Sequence, residues 1–363
     1  MAAEEAHQQT QLGDLPEACL AYAIALTSPR DACRFATISP TFRAAADSDH
    51  VWHGFIPEDH RAIVLQPSPA KTARKKDAYL GLCDGGVPVD GDDGGCRMWL
   101  DKASGAKCYA LSARRLSLPW DDGEFSWRWT RHTLSRLDSV LSSAFHIFSS
   151  NLAWAPPYSD QLMTLPSPLN SNLPVKKNDA GDEANEEMNG RPASSTKSTS
   201  RGRENSAAAF AEVAQLVDCT CLDIYGRLPA AALTPATAYA AYLVYGTAEG
   251  HRGLSYPDQE TAVALGGRVL ERHRVCLRPD DAETRKFRGA GLIAESSGAG
   301  GSEEPRRPRM RGDGWWEMEM GRLNTTGAGG ELEEEVVASF EALGWYPKLG
   351  LIVEGIEFRP VQS

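Results

Sequence analysis

Between residues 14 and 60 apolar side chains recur every three or four positions, in short stretches that each open on a start signal. Pro16 begins a run in which Cys19, Leu20, Ala23, Ile24 and Ala25 fall at helical spacing. Ser28-Pro29-Arg30-Asp31 supplies a capping serine, a proline at the first helical position and an acid three residues after the cap. The helix it starts carries Ala32, Phe35, Ala36 and Ile38 on one face, and Ser39-Pro40 repeats the device before Phe42, Ala45 and Ala46. A last turn after Ser48 presents Val51, Trp52 and Phe55. The pattern predicts three or four short helices around a very small core, which gains stability by docking to a partner.

From residue 107 the period changes to that of strands broken by turn residues. The expected strands are Lys107–Leu118, Cys219–Gly226, Tyr239–Tyr245, Glu260–Leu265, Arg274–Leu277, Trp315–Gly321, Glu335–Phe340 and Leu351–Phe358. In WWEMEMG, tryptophan and methionine alternate with glutamate, which predicts one wet face. In GLIVEGIEFRP, Ile352, Ile356 and Phe358 share one parity and Glu354 interrupts the run. Many short strands between Gly and Pro turns predict an antiparallel sandwich. Two stretches fit neither half. Leu134, Leu137, Val140, Leu141, Ala144, Phe145 and Phe148 have the spacing of an amphipathic helix. Residues 156–208 are so polar that buried area cannot offset chain entropy, and disorder is expected there.

Composition narrows the function. At 363 residues there is material for about two domains, with 42% hydrophobic and 24% charged residues, a globular balance. No run approaches the ~20 apolar residues of a membrane-spanning helix. The opening MAAEEAHQQTQLGD has neither the basic start nor the apolar centre of a secretory signal. The expected location is therefore cytoplasmic or nuclear, with all the cysteines as free thiols. A net charge of −11 argues against nucleic acid as a partner, and the one basic run, Pro305 to Arg311, reads as a solvated loop.

A search for chemistry returns little. Gly289-Ala290-Gly291-Leu292-Ile293-Ala294 spells GxGxxA, but inside a Gly/Ser-rich loop and not between a strand and a helix. Cys219 and Cys221 alternate along an expected strand, so their thiols should share one face in the core. No second cysteine pair or histidine cluster stands at zinc spacing. There is no nucleophile elbow, P-loop or HExxH. The reading is a protein that is no enzyme and carries no metal or cofactor.

The run LGDLPEACLAYAIALTSPRDACRFATISPTFRAAADSDHVWHGFIP resembles an F-box, through Leu15-Pro16-Glu17, the Pro29–Cys33 turn and helix start, and Val51-Trp52. Cys33-Arg34-Phe35-Ala36-Thr37-Ile38-Ser39 stands where the family has a Cys/Ser-Arg-Ala-Ser-Ser-Val type sequence. The resemblance implies a Skp-family adaptor as partner, and through it a cullin, with Leu15, Pro16, Ile24, Pro29 and Trp52 supplying the apolar docking surface. The later blocks KCYALSARRLSLPW, FSWRW, AEVAQLVDCTCLDIYGRL, LTPATAYAAYLVYG, DGWWEMEMG and GLIVEGIEFRP are similar to the Nictaba-related phloem protein 2 lectins. Together they imply a plant protein of α plus β class. Residues 1–11 would be a disordered start, 12–60 the F-box, 61–106 a linker, and 107–361 a jelly-roll-like lectin sandwich. Residues 132–207 interrupt that sandwich where relatives are continuous, as a tolerated surface loop or as translated intron sequence.

In that lectin family, sugar binding rests on aromatic and acidic residues. The matching positions are Trp120 and Trp127, and, counting back from Gly350, Glu334 and Glu341. An indole stacks on the C–H face of a pyranose, while carboxylates accept from its hydroxyls. Trp127 and Trp129 lie two apart, so one of the two belongs in the core. The resemblance implies the substrate-recognition subunit of a ubiquitin ligase whose sandwich binds N-acetylglucosamine oligomers or N-glycans on target glycoproteins. Two alternatives stay open: a stress lectin with a vestigial box, and a module that grips a protein surface without a glycan.

Overall fold

The computed structural model describes residues 15–59, 74–89, 95–119, 126–131, 210–256, 258–279, 281, 304–325 and 334–361. The expected helix over 134–148, the polar stretch 156–208, the GxGxxA string and Trp120 lie outside the described residues. Among the described residues, helices come first: α1 (Glu17–Ala25), α2 (Pro29–Phe35), α3 (Pro40–Ala46), α4 (Asp49–Phe55) and α5 (Lys75–Gly85). The caps fall where the sequence puts them. Ser28 Oγ accepts from the Asp31 backbone N–H at 3.1 Å, and Ser39 Oγ from that of Phe42 at 3.3 Å.

The strands are β1 (Val87–Pro88), β2 (Cys96–Leu100), β3 (Lys107–Ser112), β4 (Trp127–Arg131), β5 (Glu212–Leu216), β6 (Leu222–Pro229), β7 (Ala238–Arg252), β8 (Gln259–Leu265), β9 (Arg268–Val275), β10 (Arg309–Met310), β11 (Trp316–Asn324), β12 (Glu335–Ala342) and β13 (Leu349–Pro360). Among the described residues the named strands pair antiparallel throughout. The larger sheet runs β1-β2-β3-β13-β7-β11-β10, and β5 joins β13 and carries β4 outside it. The smaller sheet is β6-β12-β8-β9. Leu222, Ile224 and Leu228 of β6 and Val336, Ala338 and Phe340 of β12 share one core with Tyr239, Leu243, Ile356 and Phe358 of the larger sheet. The class is thus α plus β, as read. Sheet closeness is set by Gly226, where an added Cβ would sit 2.9 Å from Ile356.

Residues 61–106, expected as a linker, hold α5, β1 and β2. Tyr79 of α5 is fully buried, its ring tilted on Trp52 at 5.3 Å and its hydroxyl donating to the Asp101 carbonyl at 3.0 Å. The Arg30 backbone N–H reaches the Ala103 carbonyl at 3.2 Å. A single apolar core therefore runs from Leu20 through Trp52 and Tyr79 into the sandwich. The linker reading failed because the apolar runs here are short, and only the burial of Tyr79, Leu82 and Cys83 of α5 and of Cys96, Met98 and Leu100 of β2 makes them core.

Two strand details also differ from expectation. In β13 a bulge between Val353 and Gly355 changes the parity, so Leu351, Val353, Ile356 and Phe358 share the inner face while Ile352 joins Val213, Val244 and Trp315 on the other. Gly355 admits no side chain there, because a Cβ would overlap the Leu111 carbonyl oxygen. In β11 the glutamate face is not wet. Glu317 is 3% exposed, paired with Arg309 on β10 and, at 2.7 Å, with Arg359 on β13. Burial alone would push its carboxyl up, but the guanidiniums of Arg359 and Arg309 outweigh that and hold it below the usual glutamate value. A lowered folded pKa gives stability above the unfolded value that is lost as the pH falls through the folded one. Glu317→Gln should therefore be less stable than wild type at pH 7, and the gap should close between about pH 5 and pH 3. Urea midpoints across that window check it, and a gap that widens on acidification refutes it.

All eight cysteines are free thiols. Cys221 is exposed while Cys219 is buried, so the pair does not share a face. Residue 219 sits ahead of β6, bridged to Lys348, and strand alternation starts only at Leu222. Burial pushes the Cys83 and Cys219 thiols up to about 12, and that of Cys108 well up too. A disulfide reagent on the native protein should react quickly at Cys19, Cys33 and Cys221, and at Cys83, Cys96, Cys108, Cys219 and Cys276 only after denaturation. Mass mapping of the labelled sites decides it.

Candidate functional site

The helical box has two apolar faces. One is inward. Ile24 is 2% exposed, Pro29 is buried against Gly105, and Trp52 is 1% exposed. The Trp52 indole N–H donates to the Ala46 carbonyl at 2.7 Å, and its ring meets Phe55 edge-on at 5.7 Å. These three side chains hold the box together and offer no surface to a partner. That corrects their assignment as docking residues: the spacing that marks an apolar face does not say whether the chain itself covers it.

The other face is outward. Cys19 and Tyr22 on α1, with Leu15 just before it and Leu26 at its C-cap, stand at spacings of four, three and four, and all are exposed, Tyr22 at 61% and Leu26 at 73%. Pro16 is exposed beside them, and Ile38, after α2, is 62% exposed. The Tyr22 ring is stacked on His50 of α4, centroids 6.3 Å apart. Single exposed apolar residues are ordinary, whereas a row of them on so small a domain is the kind of surface that partners cover. Of the expected docking residues, Leu15 and Pro16 lie in this exposed row. Tyr22, Leu26 and Ile38 also lie exposed there, a second stripe that the spacing shows once α1 is known to be apolar on opposite sides.

Of the expected sugar residues Trp120 lies outside the described residues, and the three described ones, Trp127, Glu334 and Glu341, do not come together. Trp127, opening β4, is 5% exposed, and its indole N–H donates to the Pro119 carbonyl at 2.9 Å. A ring packed into the core has no face left for a pyranose, so Trp127 is corrected to a core residue. Its neighbour Trp129 is half-buried under the Arg114 guanidinium, 3.6 Å from the ring centroid, with Arg114 bonded to Glu212. Glu334 and Glu341 bracket β12 seven residues apart, about 23 Å along a strand and on opposite faces. Glu334 packs against the turn at Gly266. Glu341 faces outward from the smaller sheet, opposite Asp223 and Glu260, and accepts from the Tyr225 hydroxyl at 3.2 Å. One monosaccharide cannot reach both carboxylates.

Comparison with known proteins fits both halves. The family model described as phloem protein 2 matches residues 193–360. PP2-B8 of Arabidopsis thaliana is 28% identical over 365 residues, covering 99% of this chain and 90% of its own length. F-box protein PP2-B10 of the same plant is 27% identical over 355 residues, covering 98% of this chain and 96% of its own. Along nearly its whole length the chain is similar to F-box proteins that carry a phloem protein 2 domain. Among solved structures, a Caldicellulosiruptor saccharolyticus carbohydrate-binding module in complex with mannohexaose is 8% identical, covering 42% of this chain and 77% of its own, with a TM-score of 0.21, too low to carry an argument.

The two relatives span the helical box and the sandwich together, so α5 and β2 lie within the matched length. Among the described residues no group of three or more His, Cys, Asp or Glu is placed to hold a metal ion, and no helix is long and apolar enough to cross a membrane.

Proposed function

We propose that this protein is the target-recognition subunit of a Skp–cullin–F-box ubiquitin ligase, working in the cytosol or nucleus. The observation that carries the reading is the outward row Leu15, Cys19, Tyr22 and Leu26, with Ile38, on a helical box whose other apolar face is buried. A helix or groove of the adaptor would cover this row, excluding water from side chains that are now wet. The chain performs no bond chemistry of its own. Its contribution is proximity, holding a target near a ubiquitin-loaded enzyme, and the core shared by box and sandwich keeps the two ends of that bridge in one orientation.

The sandwich would select the target. A saccharide ligand is what the lectin resemblance implies, and Glu341, outward beside Tyr225, is compatible with it. The burial of Trp127 and the separation of Glu334 from Glu341 favour capture of a protein surface instead. Purified full-length protein should co-elute with a plant Skp-family adaptor in gel filtration. Failure to do so with any of several purified adaptors would remove the ligase reading.

A further inference from the structure

The most exposed aromatic side chain among the described residues is Trp345, at 85%, in the turn between β12 and β13, with Leu343 at 58% two residues before it. A wet indole on a loose loop would carry no message. This loop is not loose. Lys348 is fully buried, and its ammonium donates to the carbonyls of Thr220 at 2.6 Å, Tyr346 at 3.2 Å and Gly344. Its backbone exchanges two hydrogen bonds with Cys219, at 2.7 and 3.0 Å. The Tyr346 ring stacks on Tyr256, centroids 3.7 Å apart, and its hydroxyl donates to Asp258. A side chain at Gly344 would collide with Tyr346 and Asp258. The indole is thus held out on a turn clamped from two sides, and the ordering cost of binding is already met.

The surroundings say what such a ring would receive. The two segments that clamp the turn, 217–223 and 254–260, together with the end of β12, carry Asp218, Asp223, Asp258, Glu260 and Glu341. Neither segment contains a lysine or arginine, and Lys348 of the turn itself is directed inward onto carbonyls. Asp218 and Asp223 make no ion pair among the described residues, and Asp223 lies directly opposite Glu341 in register. A saccharide needs donors as well as acceptors; Glu260 is already paired with Arg272 of β9 at 3.0 Å, and the acceptors left to a ligand here are chiefly the carboxylates of Asp218 and Asp223. A basic chain meets both features: Lys or Arg can lie over the indole face and answer the carboxylates, while an adjacent apolar side chain covers Leu343.

We propose that the Trp345 turn and the acidic segments beside it form the docking site for a basic, partly apolar peptide segment of the target. This rests on the target-recognition reading and names the class of target. The test is selection of a random dodecapeptide phage library on the full-length protein, with counter-selection on Trp345→Ala. Because the ring is exposed, that variant should fold as wild type does. Enriched sequences should join Lys or Arg to aliphatic or aromatic residues. A resynthesised peptide should lose at least tenfold in affinity with Trp345→Ala, severalfold with Asp218→Asn/Asp223→Asn, and further with added salt. The proposal is overturned if no Trp345-dependent peptide emerges or if the enriched sequences are neutral or acidic. It is equally overturned if chitotetraose, and no peptide, binds wild type but not Trp345→Ala in calorimetry. Adaptor co-elution of Trp345→Ala should equal that of wild type, so a failure here is separable from a failure of the ligase assignment.

Discussion

Tyr22→Gln/Leu26→Gln should lose the Skp-family adaptor while keeping its fold. Both side chains are mostly in solvent, and Gln is a good helix residue, so the melting temperature should move by no more than about two degrees. Docking should suffer far more. An apolar anchor at the centre of an interface is worth about 2 kcal/mol or more, roughly thirtyfold in Kd, and two adjacent anchors are removed together. Titration calorimetry of the full-length variant with a purified adaptor measures this. Unchanged affinity would show that the outward row on α1 is not the docking face. A variant that lost affinity only by unfolding would betray itself in the melting curve.

Trp52 should behave in the opposite way. Trp52→Ala empties a fully enclosed site between α4 and α5, and large-to-small changes of this kind cost about 3–5 kcal/mol. The same change leaves the Ala46 carbonyl without its indole donor. Because Trp52, Tyr79 and the sandwich belong to one core, the loss should appear in the unfolding of the whole unit and not only in a local melting of the box. Trp52→Phe keeps an aromatic ring against Phe55 and Tyr79 and should cost considerably less. At a temperature where it stays folded, it should bind the adaptor as wild type does. Urea unfolding with the same calorimetric titration separates the cases. Loss of adaptor affinity in a stable Trp52→Phe protein would return Trp52 to the docking surface.

The contrast between Tyr22 and Trp52 also marks the boundary of what residue spacing can convey. The short capped helices were legible because a serine, a proline and an acid at fixed offsets act locally, through hydrogen bonds within one turn. Alternation likewise gave β6, β8, β11 and β12 to within a few residues. Apolar side chains at every second position share one face of an extended chain but no single face of a helix. β9 was largely missed: its run Arg268-Val269-Leu270-Glu271-Arg272-His273-Arg274 belongs to an edge strand with much of its length in solvent, where alternation fades.

By itself, then, the chain's order of residues determined the class of the fold, the helical start, the strand-rich remainder and the two family likenesses, all of which rest on local chemistry and spacing. Which apolar faces are covered was decided only in three dimensions. Ile24 and Tyr22 sit two positions apart on one short helix, and nothing local distinguishes the one that is enclosed from the one left wet. The same holds for the buried Trp127, the bulge that re-aims β13, and the arginines that close over Glu317. Burial is a property of what arrives from elsewhere in the chain, and residue spacing carries no record of the neighbours that arrive.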